Sequence, residues 1–269
     1  MTDWLQVCRD AATAVNRVLG ELPTRLEREP RVGAGAGGDE TTAVDAAAEA
    51  AVVEVLEAVS AGFTLVSEEL GQRVFGGGGD GLTVVCDPID GSLNAKRGIP
   101  FFSLSLAVAS GPRMADVELG FVHDFGSGEE WVARRGEGAL LNGSRLDGPG
   151  PKDRIEILSL EATRTDLVEE HVARMVGFAH RTRVMGSLAL SLCHLAAGRM
   201  DAVVSLKPAR SVDIAAAQLL VHERGLAIDL PDSPPFEAAP LDLGARSRVV
   251  AAGTEELCAE LFERLGPPE

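Results

Sequence analysis

Residues 84 to 102 read VVCDPIDGSLNAKRGIPFF, and the chemistry of this stretch begins with two acids, Asp87 and Asp90, that close a hydrophobic run. Pro88 fixes its own backbone and steers Asp87 away from helical conformation. Gly91 permits a tight turn directly after Asp90. Two carboxylates on so rigid a support lie close enough to share a cation, and the carbonyl of Ile89 between them can face the same way. Gly91 and Ser92 then open a segment whose N–H groups suit a phosphate, above all if a helical turn follows. DPxDG is also ordinary turn chemistry with solvated acids. Taken alone, the stretch supports both readings.

Two more acidic positions bear on the choice. Glu68 and Glu69 end the run FTLVSEEL, where strand alternation aims one inward and the other outward. Asp213 starts the apolar pattern SVDIAAAQLLV, where an acid is either a helix cap or a donor arriving from a second part of the chain. Acids from separate segments that converge on DPID would make a hard-oxygen cluster suited to Mg2+.

The elements that must position these residues are legible in outline. Trp4, Val7, Cys8, Ala11, Val15, Val18 and Leu19 recur at helical spacing. Val44, Ala47, Ala48, Val52, Val55, Leu56 and Val59 mark a second helix, with Asp39, Thr41 or Thr42 as its N-cap. Strands are predicted at 63–70, in LTVVCDPID, at 101–110, at 117–125 and in EEWVARRGEGALLNG. After Gly148-Pro149-Gly150-Pro151 the texture changes. Strand-like RIEILSL, TRVMGS, DAVVSL, LAIDL and SRVVAAG alternate with helical TDLVEEHVARMVGF, LALSLCHLAAGRM, SVDIAAAQLLVHERG and TEELCAELFERLG. The pattern predicts an α+β lobe over 1–148 and an α/β lobe over 149–269.

Composition narrows the partners. The 269 residues carry 25 Lys plus Arg against 41 Asp plus Glu, a formal charge of -16. A surface so acidic repels nucleic acid and anionic membranes. Cys8, Cys86, Cys193 and Cys258 form no CxxC pair, and no apolar leader pattern opens the chain, so reduced, buried thiols in a cytoplasmic protein are expected. The 5 histidines show no zinc spacing. GAGAGG, residues 33 to 38, formally matches GxGxxG, but LEREPRV before it is charged and proline-broken, so a mobile loop is the better reading. No lysine–arginine cluster accompanies DPID, which leaves metal to offset a phosphate's charge.

The segments GDETTAVDAAAE (38–49), VSEELG (66–71), DPIDGSLN (87–94), GIPFFSLSLAV (98–108), GEGALLNG (136–143), MGSLALSLCHLAAGRMDAVV (185–204) and RSVDIAAAQLLVHERG (210–225) span most of the chain. In this order they resemble the inositol monophosphatase and fructose-1,6-bisphosphatase superfamily of Mg2+-dependent, lithium-sensitive sugar phosphatases, and most of all its archaeal dual-activity branch. The resemblance implies a layered αβαβα sandwich, mixed α/β, with a metal site between two lobes. It implies Glu68, Asp87, the Ile89 carbonyl, Asp90 and Asp213 as ligands of two or three Mg2+ ions, with Mn2+ able to substitute. Asp45 and Ser92 match the pair that orients the attacking water, and Asp39 matches a loop acid that approaches a third metal. Gly91 and Ser92 match the phosphate cradle. Gly186, Ser187, Arg210 and Asp213 fall where relatives contact substrate.

Three positions depart from common family usage. Ser92 stands for a frequent threonine, Ala95 for an aromatic and Val212 for a tryptophan. The implied substrate is a small sugar or polyol phosphate, inositol 1-phosphate or fructose 1,6-bisphosphate first, and the implied assembly is a homodimer. Relatives that act on 3′-phosphoadenosine 5′-phosphate, NADP or histidinol phosphate supply the alternative, with a catalytically inactive binding protein as the non-enzyme reading.

Overall fold

A computed structural model describes residues 2–38, 40–77, 81–147, 152, 154–161 and 164–266. The chain opens with α1 (Trp4–Glu21) and the single turn α2 (Arg25–Arg28), then β1 (Arg31–Ala34), β2 (Glu40–Thr42) and α3 (Ala43–Glu57). Strands β3 (Phe63–Ser67), β4 (Gly71–Phe75) and β5 (Leu82–Asp90) lead into α4 (Ser92–Arg97). Strands β6 (Ser103–Ala109), β7 (Val117–Asp124), β8 (Glu130–Arg134), β9 (Gly138–Leu141) and β10 (Ser144–Arg145) follow. The second half contains β11 (Ile155–Glu161), α5 (Thr165–Val172), β12 (Ala179–Arg183), α6 (Leu188–Ala196), β13 (Ala202–Ser205), α7 (Ser211–Glu223), β14 (Ala227–Asp229), β15 (Val250–Ala252) and α8 (Glu255–Leu265).

Strand alternation sorts side chains into layers. Strands β3 to β10 form an 8-stranded sheet in the order β10-β9-β8-β7-β6-β5-β3-β4, and β11 to β15 form a 5-stranded sheet in the order β12-β11-β13-β15-β14. Leu65, Val84, Leu104 and Leu106 face α1 and α3, where they meet Cys8, Val15, Val52 and Leu56. Their neighbours Val66, Val85 and Ala107 point the other way, onto α6 and α7. The far side of α6 and α7 packs on Val203 and Ala251 of the smaller sheet. On that sheet's outer face, Leu158, Val204 and Val250 meet Leu257 and Leu261 of α8. The result is helix, sheet, helix, sheet, helix.

Being covered on both faces explains two sequence features. Strand β6, SLSLAVA, buries every residue. Helix α7 is buried nearly all round, as a helix between two sheets must be. The approach is close enough to require glycine at one point: a Cβ on Gly120 of β7 would lie 2.3 Å from the Ala216 carbonyl oxygen of α7. The larger sheet draws its strands from residues 63–145 and the smaller from 155–252, while the middle core draws on both. The Gly148–Pro151 run lies outside the described residues.

Several local expectations need correction. The strand expected in TRVMGS ends at Arg183 and begins earlier, at Ala179, because parallel pairing with β11 sets its register. The strand expected over 63–70 stops at Ser67, and Glu68–Leu70 turn the chain into β4, which pairs antiparallel with β3. The loop expected at GAGAGG is the end of a β1–β2 hairpin. Its tip is held by Ala36 N–H donating to Glu69 O (3.0 Å), Gly37 N–H donating to Glu68 O (2.8 Å) and Arg246 Nη2 donating to Gly37 O (2.5 Å). All 4 cysteines are free and buried, as expected. Burial pushes the Cys258 thiol up to about 12, which leaves it unreactive. No helix among the described residues is long and apolar enough to cross a membrane.

Candidate active site

Two parallel strands bring the first acids together. β3 and β5 run side by side with Ser67 opposite Cys86, so the residues that follow, Glu68 and Asp87, leave the same edge of the sheet. β5 then slips by one residue against β6: Asp87 pairs with Ser105 and Asp90 with Ser103. The bulge holds Pro88, which has no N–H to give a ladder, and re-aims the two aspartates. Gly91 ends the strand at φ 95°, in the left-handed region, and serves as N-cap of α4. A Cβ there would lie 3.0 Å from the Gly186 carbonyl oxygen, so glycine is required by both conformation and space.

The remaining acids come from helix starts. Asp45 is the third residue of α3, and its Oδ2 accepts from Thr42 N–H (3.1 Å) and Thr42 Oγ (2.5 Å). Asp213 is the third residue of α7, and its Oδ2 accepts from Arg210 N–H (2.7 Å). The capping expected of Asp213 is therefore real, and it does not exclude a second use. Ligand oxygens of Glu68, Asp87 and Asp213 all lie within 4.8 Å of one another. Asp45, Asp90, Ile89, Gly91, Ser92, Gly186 and Arg210 line the same cavity, whose volume is about 380 Å³.

Crowded like charges dominate the electrostatics. Burial, reinforced by Asp213, raises Glu68 to about 8 despite the opposing Arg210. Burial, then Glu68, Asp90 and Asp213, holds Asp87 well above the usual carboxylate range. Burial raises Asp90 to about 7, against the pull of a hydrogen bond from Ser187. Arg210 is the nearest counter-charge: its Nη2 lies 2.5 Å from Glu68 Oε1 and 3.3 Å from Asp213 Oδ1. Burial pulls the Arg210 pKa down, but Asp213 and Glu68 outweigh it and hold the guanidinium charged.

The expected site residues are not all used as the sequence suggests. Glu68 and Glu69 do not alternate: both line the cavity, because they sit in the turn rather than the strand. Ser92 Oγ donates to the Ile89 carbonyl (3.0 Å), which ties the motif to itself. Ser187 is only 1% exposed, and its hydroxyl donates to Asp90 Oδ2 (2.5 Å) rather than forming part of the cavity lining with Gly186. Arg210 engages the acids directly. Asp39 lies outside the described residues.

The cavity also corrects the expectation that cations are lacking near DPID. Lys207, Arg210 and Arg246 line it from the second half of the chain. Sequence reasoning missed Lys207 and Arg246 because loops deliver them. It also missed Glu161, which ends β11 opposite Ser205 of β13 and lines the cavity. An acid closing an apolar strand is the signal that marked Asp87, and it was available for Glu161 as well.

The donor set fits a hard divalent cation. It is made only of oxygens, and they converge from two strand ends and a helix start. Asp45 Oδ1 is buried with no hydrogen-bond partner, a costly arrangement for a carboxylate unless a cation or a polar ligand meets it.

Comparison with known proteins agrees with this geometry. The profile of the inositol monophosphatase family matches residues 4–266. The chain is 33% identical over 271 residues to the fructose-1,6-bisphosphatase/inositol-1-monophosphatase of Methanothermobacter thermautotrophicus, covering 97% of this chain and 96% of that protein. It is 32% identical over 258 residues to the Nus factor SuhB of Salmonella typhimurium, covering 91% of each. The crystal structure of an inositol monophosphatase-fructose 1,6 bisphosphatase superimposes with a TM-score of 0.83 at 26% identity, covering 98% of this chain and 100% of the other. A match to the family profile that runs almost from end to end, over a cleft with this acid constellation, means that the chain belongs to the inositol monophosphatase family.

Proposed function

We propose that the chain is a Mg2+-dependent phosphate monoester hydrolase acting on a small sugar or polyol phosphate, inositol 1-phosphate and fructose 1,6-bisphosphate foremost. The convergence of Glu68, Asp87 and Asp213 within 4.8 Å carries this reading. Glu68, Asp87, the Ile89 carbonyl, Asp90 and Asp213 would hold two or three Mg2+ ions, with Mn2+ as a substitute. Bound there, such ions supply Lewis acidity that acidifies water and positive charge that offsets the phosphoryl oxygens.

The chain's own groups do the rest. Asp45, with Oδ1 unpartnered, accepts a proton from the attacking water, and the Ser92 hydroxyl helps to orient that water. The N–H groups at Gly91 and Ser92, where α4 begins, receive the phosphate. Lys207 and Arg246, both exposed at the cavity wall, favour substrates with a second anionic group. That feature supports a bisphosphate. Because all the acids proposed as ligands are present at the cavity, hydrolysis is favoured over a role confined to binding. Family likeness supports a homodimer, inhibition by lithium and a cytoplasmic setting.

The test is phosphate release with Mg2+ from fructose 1,6-bisphosphate, inositol 1-phosphate, 3′-phosphoadenosine 5′-phosphate and NADP. Turnover of the first two, and its loss in Asp87→Asn and Asp213→Asn, is expected. Full activity in either variant would remove the assigned roles.

A further inference from the structure

Glu161 is a carboxylate that none of the steps above uses. It ends β11 and is 7% exposed, yet it lines the cavity. A charged group so buried is tolerated only when donors surround it. Glu161 Oε1 accepts from Ser191 Oγ (2.6 Å) and Ser159 Oγ (2.8 Å), and Oε2 accepts from Gly186 N–H (2.9 Å). Burial raises its pKa, and these hydrogen bonds oppose the rise.

The Gly186 contact leads back to the acid cluster. Gly186 precedes Ser187, the N-cap of α6. Ser187 Oγ (2.5 Å) and Ala189 N–H (2.8 Å) both donate to Asp90 Oδ2. From the other side, Asn94 Nδ2 donates to the Met185 carbonyl (2.8 Å). The segment Met185–Ser187 is thus suspended between Glu161 and Asn94, and its serine engages one chosen oxygen of Asp90.

We propose that Glu161 is a positioning residue: it holds the Gly186 amide so that Ser187 pins Asp90 Oδ2 and leaves Oδ1 for the cation. The inference rests on reading Asp90 as a metal ligand. Partners that orient a ligand without touching the metal typically change metal affinity by about 10–100-fold. A purely structural role would lower the melting temperature and leave metal affinity unchanged.

The experiment is calorimetric titration of Mg2+ into the metal-free full chain, for wild type, Glu161→Ala, Glu161→Gln, Ser187→Ala, the Glu161→Ala/Ser187→Ala double variant and Asp87→Asn. Glu161→Ala is expected to weaken Mg2+ binding by roughly tenfold or more. Glu161→Gln, which keeps an acceptor for Gly186 N–H, should recover most of that loss. The double variant should bind no more weakly than Glu161→Ala, because both changes cut one path. A folded Glu161→Ala with unchanged Mg2+ Kd, beside an Asp87→Asn that has lost binding, overturns this inference alone. Unchanged binding in both overturns the metal reading and the inference with it. If Glu161→Ala does not fold, Ser187→Ala decides: weaker Mg2+ binding supports the path and an unchanged Kd overturns it.

Discussion

Helices α3 and α7 begin alike and end up doing different things. Each places an aspartate third in the helix, and each aspartate accepts the N-cap residue's backbone N–H, Thr42 for Asp45 and Arg210 for Asp213. In α3 the cap is a small hydroxyl that satisfies Oδ2 alone, and Oδ1 stays buried without a partner. In α7 the cap is an arginine whose guanidinium crosses to Glu68 and also reaches Asp213 Oδ1. The same local motif therefore leaves one acid with a spare acceptor, suited to proton transfer, and builds the other into a charge cluster. The difference lies in the cap side chain and in what stands opposite it.

The sharpest way to break this comparison is to neutralise each acid. Asp213→Asn is expected to abolish phosphate release and weaken Mg2+ binding. Asp45→Asn should lower kcat by roughly 10²–10⁴-fold while Mg2+ affinity is largely kept. Equal loss of Mg2+ affinity in the two variants, read by calorimetry, would erase the distinction. Next comes the cap. Arg210→Met removes the buried counter-charge, and should destabilise the metal-free protein by about 3–5 kcal/mol in denaturant melts. Mg2+ should restore part of that loss, and no restoration would argue against cation binding at the cluster.

A pH series sharpens the contrast further. Glu68 at about 8 and Asp90 at about 7 keep protons in the folded chain that the unfolded chain releases near 4. Their contribution to stability is full below that pH and is lost as pH rises through the folded values. The melting temperature in chelator should fall between pH 5 and 8, and Mg2+ should flatten the slope. A chelator slope equal to the Mg2+ slope would contradict the crowded-charge account. The smallest effect belongs to Thr42→Ala, which loses a capping hydroxyl worth about 1 kcal/mol. It should lower the melting temperature by roughly 2–4 °C and alter kcat through Asp45 more than it alters Mg2+ affinity.

How legible the site was varied with how local its cause is. Asp87, Pro88, Asp90 and Gly91 were readable together because proline and glycine constrain the backbone whatever surrounds it; the turn appears at Gly91 as expected, and the register shift around Pro88 is added by pairing with β6. Asp213 was ambiguous between cap and ligand in the sequence, and the structure shows that it is a cap standing within a carboxylate cluster. Alternation failed at Glu68 and Glu69 because the strand expected to run to residue 70 ends at Ser67, and both acids fall in the turn that follows. Ser187 was assigned to the substrate from motif position alone, and its burial behind Asp90 depends on how α6 docks on the larger sheet.

The amino-acid order determined the local stiffness of DPIDG, the acid at the third position of two helices, and the layered alternation of apolar strands and helices. These follow from short-range sterics and from residue periods that need no partner. Only the tertiary structure decided which charges meet. Strand register set Glu68 beside Asp87, helix docking brought Asp213 across to them, and the cavity gathered Lys207, Arg210, Arg246 and Glu161 from distant segments. Electrostatic energy depends on distance through space and on exclusion of water, and neither quantity is written along the chain.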